Sequence, residues 1–263
     1  MGAGVGALSK RRNSAMLNTL VYEGPDGPAN LLIAHGLFGS ARNWGVVAKR
    51  LSEGRRVVAV DMRNHGASNW NPSQTYQDMA TDLAEVIDGQ WDVLGHSMGG
   101  KAAMVLALTH PEKVRKLIVA DIAPVAYRHS QLDKIAAMRR VDLAQVTSRA
   151  EAAEMMRVKD PALAAFFLQS LDISGKKWRL NLDALATNMP GIMGFPELSG
   201  VFDGPTLFLS GARSDYVLPE HRDRIRALFP PARFAKIPDS GHWLHAEKPR
   251  EFVAAVEVFL DQG

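Results

Sequence analysis

The chain has 263 residues and not one cysteine. That absence removes disulfides, thiolate metal ligands and cysteine nucleophiles together. It fits a reducing compartment, and a cytoplasmic location is the expectation. Long apolar runs are also missing. None approaches the roughly 20 residues that cross a bilayer, so no membrane span is expected. Charge of one sign is not concentrated either: 31 Lys and Arg face 28 Asp and Glu, a net charge of +3. The basic residues are scattered through Lys10-Arg11-Arg12, Arg55-Arg56, Arg139-Arg140 and Arg222, Arg224 and Arg226. Without a continuous basic stripe, solvated faces are expected rather than a nucleic-acid partner. The opening MGAGVGALSKRRNS has too short an apolar part for a secretory signal, and its charges follow rather than precede that part. Residues 1–15 are expected to form a disordered leader.

What remains has ordinary globular proportions, 46% hydrophobic and 22% charged. Short apolar runs recur, each ending in polar or glycine residues. They are Leu31–Ala34, Val57–Val60, Trp91–Leu94, Leu117–Ala120 and Leu207–Leu209. Such runs are continuous rather than alternating, as in strands buried on both faces. Helical segments lie between them. Thr75 with Asp78 reads as a capped start before Met79, Leu83 and Val86. Met98–Thr109 is rich in Ala, Leu and Met and ends before Pro111. Pro249 suits a first helical turn, and Phe252, Val256 and Phe259 form the stripe after it. The alternation implies an α/β fold, a mostly parallel sheet covered on both faces. From about 125 to 200 no clear strand occurs. Leu132, Ile135 and Met138 have helical spacing, as do Leu163, Phe167 and Leu171, then Leu182, Leu185 and Met189. A single domain over 16–263 with a helical lid insertion at about 125–200 is expected.

The sharpest motif is GHSMGG, residues 95–100. Gly95-His96-Ser97-Met98-Gly99 fits G-x-S-x-G, in which a serine occupies a strained strand-to-helix turn. Glycines two positions either side avoid clashes there. An apolar strand precedes the motif and a helix follows, as it requires. A nucleotide-binding glycine turn would show G-x-G-x-x-G or a Walker lysine, and neither is present. Ser97 is therefore the candidate nucleophile.

A serine hydroxyl needs a base, and the base an orienting acid. His96 lies inside the turn but points away from Ser97. His35 and His65 lie in glycine turns, and His110, His129 and His221 in or beside helices. His242, in Ser240-Gly241-His242, follows the last apolar run, Arg233 to Ile237, and precedes the final helix, at the strand end where parallel sheets build sites. Gly241 gives that loop room to turn inward, which favours His242 over His245. A tetrahedral oxyanion needs two backbone donors. The turn aims the Met98 amide at the free end of the helix. HGLFGS (35–40) follows the first long strand and supplies the second donor, assigned to Leu37.

Taken together, HGLFGS (35–40), DMRNHGAS (61–68), GHSMGG (95–100), the helical insertion and SGHWLHAEKP (240–249) resemble the α/β-hydrolase superfamily. They occur in that family's order and span nearly the whole chain after Met16. In DMRNHGAS, the resemblance implies that Asp61 and His65 organise a turn. GHSMGGKAAM, LIVADIAPV and GARSDYV (211–217) are similar to the smaller group of YbfF-type acyl-esterases and their mitochondrial relatives. Many α/β-hydrolases carry the triad acid as G-x-x-D after the strand that ends at Gly211. Here Ser214 stands in that place and Asp215 follows. Asp121 closes the preceding sheet strand, as in the YbfF type. The resemblance favours Asp121, with Ser214 as a further hydrogen-bond partner and Asp215 as the alternative.

The resemblance implies a serine hydrolase acting on a small carboxylic ester, or a thioester, of short to medium acyl chain, with no cofactor and no metal. Apolar residues such as Phe166, Phe167, Met189 and Phe195 would either shape the acyl site or form the insertion's own core. A C–C bond hydrolase, a cofactor-free haloperoxidase or an aminopeptidase would use the same triad. Dehalogenases and soluble epoxide hydrolases need an aspartate where Ser97 stands. A catalytically silent binding protein on the same fold is the rival from another class.

Overall fold

A computed structural model describes residues 17–262. The expected leader, 1–15, lies outside the described residues. In chain order the strands are β1 (Thr19–Tyr22), β2 (Leu31–Ala34), β3 (Val57–Val60), β4 (Trp91–His96), β5 (Val114–Ala120), β6 (Leu171–Asp172), β7 (Lys177–Trp178), β8 (Thr206–Gly211) and β9 (Ala232–Ile237). Seven of them form one sheet in the order β1-β3-β2-β4-β5-β8-β9. Every neighbouring pair is parallel except β1 with β3. The apolar runs are strands because both their faces are covered: β2, β3, β4 and β8 are buried at every residue. The edge strand β1 alternates exposed and half-buried residues. One of its faces meets water, so no apolar run marks it in the sequence.

The helices are α1 (Gly45–Leu51), α2 (Tyr76–Val86), α3 (Met98–Thr109), α4 (Leu132–Arg139), α5 (Arg149–Met156), α6 (Pro161–Leu168), α7 (Leu182–Thr187), α8 (Met189–Met193), α9 (Arg222–Leu228), α10 (Leu244–Glu247) and α11 (Pro249–Asp261). The strands' period of two divides the core into halves. Leu31 and Ile33 of β2 face a layer with Val47 and Leu51 of α1 and Phe252 and Val256 of α11. Leu32 and Ala34 face the other layer, with Met79 and Leu83 of α2 and Ala102 and Ala103 of α3. The start of α2 is capped as expected, the Asp78 amide donating to Thr75 Oγ1 at 3.2 Å.

Between β5 and β8 the chain forms α4 to α8. It also forms a short antiparallel pair, β6 with β7, where the sequence shows no strand. Leu171, spaced as the end of a helical stripe, lies in β6 instead and is buried opposite Trp178. A two-residue strand is too short to display a period, so its pattern is invisible in the sequence.

From β2 the chain builds β3 on one side, then returns to place β4 on the other. That reversal opens a crevice at the carboxyl ends of β2 and β4. The loop after β2 and the turn after β4 meet across it. They meet closely because Gly99 has no side chain: a Cβ there would lie 2.4 Å from the Ala34 carbonyl oxygen and 2.5 Å from that of His35. Both neighbours are backbone and cannot swing aside. Gly99→Ala is therefore expected to push α3 off β2 and cost about 1–3 kcal/mol. A lowered urea midpoint checks this, and an unchanged midpoint would contradict it.

Candidate active site

Ser97 sits between β4 and α3 with φ 53° and ψ −119°, a left-handed backbone that a non-glycine residue adopts only under constraint. The constraint is hydrogen bonding at both ends of the residue. Its N–H donates to the Ala120 carbonyl at the end of β5 (3.0 Å), and its own carbonyl accepts the Lys101 amide (3.0 Å). The turn lifts Oγ out of the sheet edge into a cavity.

Across that cavity His242 presents both ring nitrogens. Nε2 lies 3.1 Å from Ser97 Oγ, and Nδ1 lies 2.7 Å from Asp121 Oδ2. A carboxylate can only accept, so Nδ1 carries the proton and Nε2 is left as the acceptor for the serine hydroxyl. Asp121 is fully buried. Its Oδ1 accepts the Gly211 amide at 3.0 Å, and Oδ2 also accepts the Ser214 hydroxyl at 2.5 Å. The structure thus brings Ser97, His242 and Asp121 together. It does not bring Asp215, which is exposed. Ser214 touches the carboxylate rather than the imidazole. β5 and β8 are neighbours, which is why a residue after one strand can serve a carboxylate after the other.

It is His242, not His245, that bonds Ser97 and Asp121. His245 stacks on Trp44, with ring centroids 4.1 Å apart and planes 6° from parallel. His96 points away from Ser97, and its Nε2 donates to the His242 backbone carbonyl at 2.8 Å. It fixes the backbone from which the His242 ring projects, a function its place in the motif does not reveal. Tyr216 stacks on the His242 ring, centroids 4.1 Å apart. In the sequence it is only one aromatic in GARSDYV.

The loop after β2 is braced by two more buried imidazoles. His35 Nδ1 donates to the Gly36 carbonyl (2.7 Å), which leaves Nε2 to accept the Met62 amide (2.9 Å). His65 Nδ1 donates to the Arg63 carbonyl (2.8 Å), which leaves Nε2 to accept the Phe38 amide (3.2 Å). Phe38, at φ 65°, is turned by that bond. Its amide is committed to His65, so the loop's candidate oxyanion donor is the preceding amide, Leu37. Leu37 and Met98 both line the cavity beside Ser97. Met98 is the first residue of α3, where helix amides have no intrahelical partner. The Asp61 carboxylate accepts the Ala41 amide (2.8 Å) and the Ala67 amide (2.9 Å), tying the two loops together.

The cavity encloses about 400 Å³, within the range of small-molecule sites. Phe166 and Phe167 of α6 and Ile192 and Met193 of α8 form walls from the insertion. Of the other apolar residues singled out there, Met189 is buried in the core, and Phe195 packs against that core with its ring centroid 6.4 Å from Tyr76.

Two expectations follow from this geometry. Asp121→Asn would present an amide where Nδ1–H needs an acceptor, favouring the wrong tautomer. Turnover should fall by about 10³–10⁴-fold, while Asp215→Asn stays within about twofold of the unaltered chain; steady-state kinetics on one activated ester distinguishes them. The second concerns acid. Burial pushes His35, His65, His96 and His245 below 6.5, with His65 and His245 reaching about 3. The folded state keeps them neutral where the unfolded chain would take up protons. All four contribute stability that is complete above pH 6.5 and falls as the solution is acidified; for His65 and His245 the loss runs down toward pH 3, by up to about 1.4 kcal/mol per pH unit each. Urea midpoints between about pH 7.5 and pH 4 should decline accordingly, and a flat series would contradict this account.

Known proteins place this geometry in a family. Residues 29–249 match the alpha/beta hydrolase fold family. The sn-1-specific diacylglycerol lipase ABHD11 of Mus musculus is 41% identical over 260 residues, covering 92% of this chain and 85% of that protein. Esterase YbfF of Escherichia coli is 39% identical over 238 residues, covering 88% and 92%. A solved marine microorganism esterase superposes with a TM-score of 0.89 at 34% identity, covering 93% of this chain and 99% of that one. The chain belongs to the α/β-hydrolase family, among its esterases and lipases.

Proposed function

We propose that the protein hydrolyses small carboxylic esters of short to medium acyl chain, and thioesters by the same route, through an acyl-enzyme. Ser97 Oγ attacks the acyl carbonyl carbon while His242 Nε2 takes its proton. The Leu37 and Met98 amides receive the oxyanion, and Asp121 holds the imidazolium. Collapse of the tetrahedral intermediate expels the alcohol or thiol, which leaves with the proton from His242. Water then attacks the acyl carbon as His242 takes its proton, and the second tetrahedral intermediate breaks the bond to Ser97 Oγ, which receives that proton back as the acid leaves. Each oxyanion donor of this kind is worth about 10²–10³ in rate.

The observation that carries the reading is the unbroken chain Ser97 Oγ, His242, Asp121, at 3.1 Å and 2.7 Å. A silent binding protein has no need of that alignment. The cavity volume of about 400 Å³ and its phenylalanine wall support a short to medium acyl group. The insertion between β5 and β8 lends Phe166, Phe167, Ile192 and Met193 to the cavity that Ser97 also lines, and it is read as a lid. No helix among the described residues is long and apolar enough to cross a membrane, so substrate would reach the site from solution or from a surface.

Hydrolysis of p-nitrophenyl acetate and butyrate should be abolished in Ser97→Ala, and a fluorophosphonate should label the unaltered chain but not the variant. The absence of both activity and labelling in the unaltered chain would exclude a serine hydrolase and leave the binding-protein reading.

A further inference from the structure

One charged side chain in the cavity wall has no part in the proposed chemistry. Lys101 lies one turn after Ser97 on α3, is 1% exposed and lines the cavity. Its Nζ donates to the Gly194 carbonyl at 2.5 Å and the Met193 carbonyl at 3.1 Å. The Tyr127 and Tyr76 ring centroids lie 4.7 Å and 5.7 Å from it. Burial pushes its pKa down to about 7. Among the described residues it forms no ion pair with a carboxylate. A buried ammonium without a counter-ion is costly, and methionine would fill the space without that cost. What methionine lacks is a donor for two carbonyls.

Those carbonyls lie at the end of α8, where a helix leaves its last C=O groups without internal partners. The neighbouring carbonyl, Ile192, accepts the Tyr76 hydroxyl at 2.5 Å, and Met193 also accepts the Tyr127 amide at 2.9 Å. Three successive residues of the insertion are therefore fastened to α2, to α3 and to the segment after β5. Two of them, Ile192 and Met193, form cavity wall beside Ser97.

We propose that Lys101 is the positioning residue that sets acyl-chain selectivity: by holding the Met193 and Gly194 carbonyls it fixes the Ile192–Met193 wall against the helix that carries Ser97, and so determines how long an acyl group the site accepts. The proposal rests on the ester-hydrolase reading above.

The test uses the full chain, Lys101→Met, Lys101→Arg and Tyr76→Phe, on p-nitrophenyl esters from acetate to decanoate. Hydrogen exchange of residues 190–196 is measured in parallel. In Lys101→Met the ratio of kcat/KM for decanoate to that for acetate should shift at least tenfold, with the change falling on KM more than on kcat. Exchange in 190–196 should accelerate at least tenfold. Tyr76→Phe, which frees only Ile192, should shift both readouts in the same direction by less. Lys101→Arg, which keeps the charge and the donors, should recover most of the ratio. If Lys101→Met fails to fold, Tyr76→Phe decides on the same segment. An unchanged chain-length ratio overturns the proposal, whether or not exchange accelerates, and so does unchanged exchange. An unaltered chain that hydrolyses none of the series fails differently: it removes the ester reading itself.

Discussion

The hydrogen bond from the Ser97 amide to the Ala120 carbonyl, 3.0 Å long, is the constraint on which the site depends. It holds the serine at φ 53°, a conformation whose cost is on the order of 1–3 kcal/mol. It also makes one strand end serve two purposes. Ala120 closes β5, and the next residue is Asp121. The strand that fixes the backbone of the serine therefore also places the carboxylate that orients the histidine. Register between β4 and β5, with His96 opposite Ala120, becomes the alignment of the proposed nucleophile with its acid. A slip of one residue between the two strands would flip one of them to the opposite face and part the serine from the carboxylate.

The buried histidines extend the same logic from strands to loops. A neutral imidazole offers one donor and one acceptor at opposite sides of a rigid ring. His35 and His65 each spend the donor on a nearby carbonyl and the acceptor on an amide of the other's loop. The loop after β2 is thereby locked to the loop after β3 without any charge. Burial holds both pKa values down, so the acceptor nitrogen stays unprotonated through the neutral range. A protonated ring would offer a second donor to an amide that is itself a donor, and the loop carrying the proposed oxyanion donor would lose its brace.

Much of this is legible in the sequence alone. Continuous apolar runs mark the buried strands because parallel strands lack a wet face, and GHSMGG, HGLFGS and SGH mark three strand ends that converge. What the sequence hides is whatever depends on strands remote in the chain. Asp121 and Asp215 are equivalent as residues; the difference is that one points between β5 and β8 while the other stays in water. The brace from His96 to the His242 carbonyl joins residues 146 apart, and no local pattern encodes it. β1 escapes detection for the opposite reason. Its alternation is that of an edge, and four residues are too few to establish a period.

The position of Ser214 shows why the acid can move between strands at all. Asp121 Oδ2 accepts both the Ser214 hydroxyl and His242 Nδ1, while Oδ1 accepts the Gly211 amide. A buried carboxylate is tolerable only when its oxygens are met by donors, and here all three are fixed before any substrate arrives. A second aspartate at 214 would set two carboxylates against one imidazole, and their repulsion would drive a proton onto one of them. Serine in that place supplies a proton donor instead of a charge. The end of β5 then carries the charge and the loop after β8 carries its solvation. In the proposed reaction, when His242 becomes cationic, the carboxylate facing it has nothing left to rearrange. That fixed polar environment is what lowers a barrier in which charge develops on the imidazole.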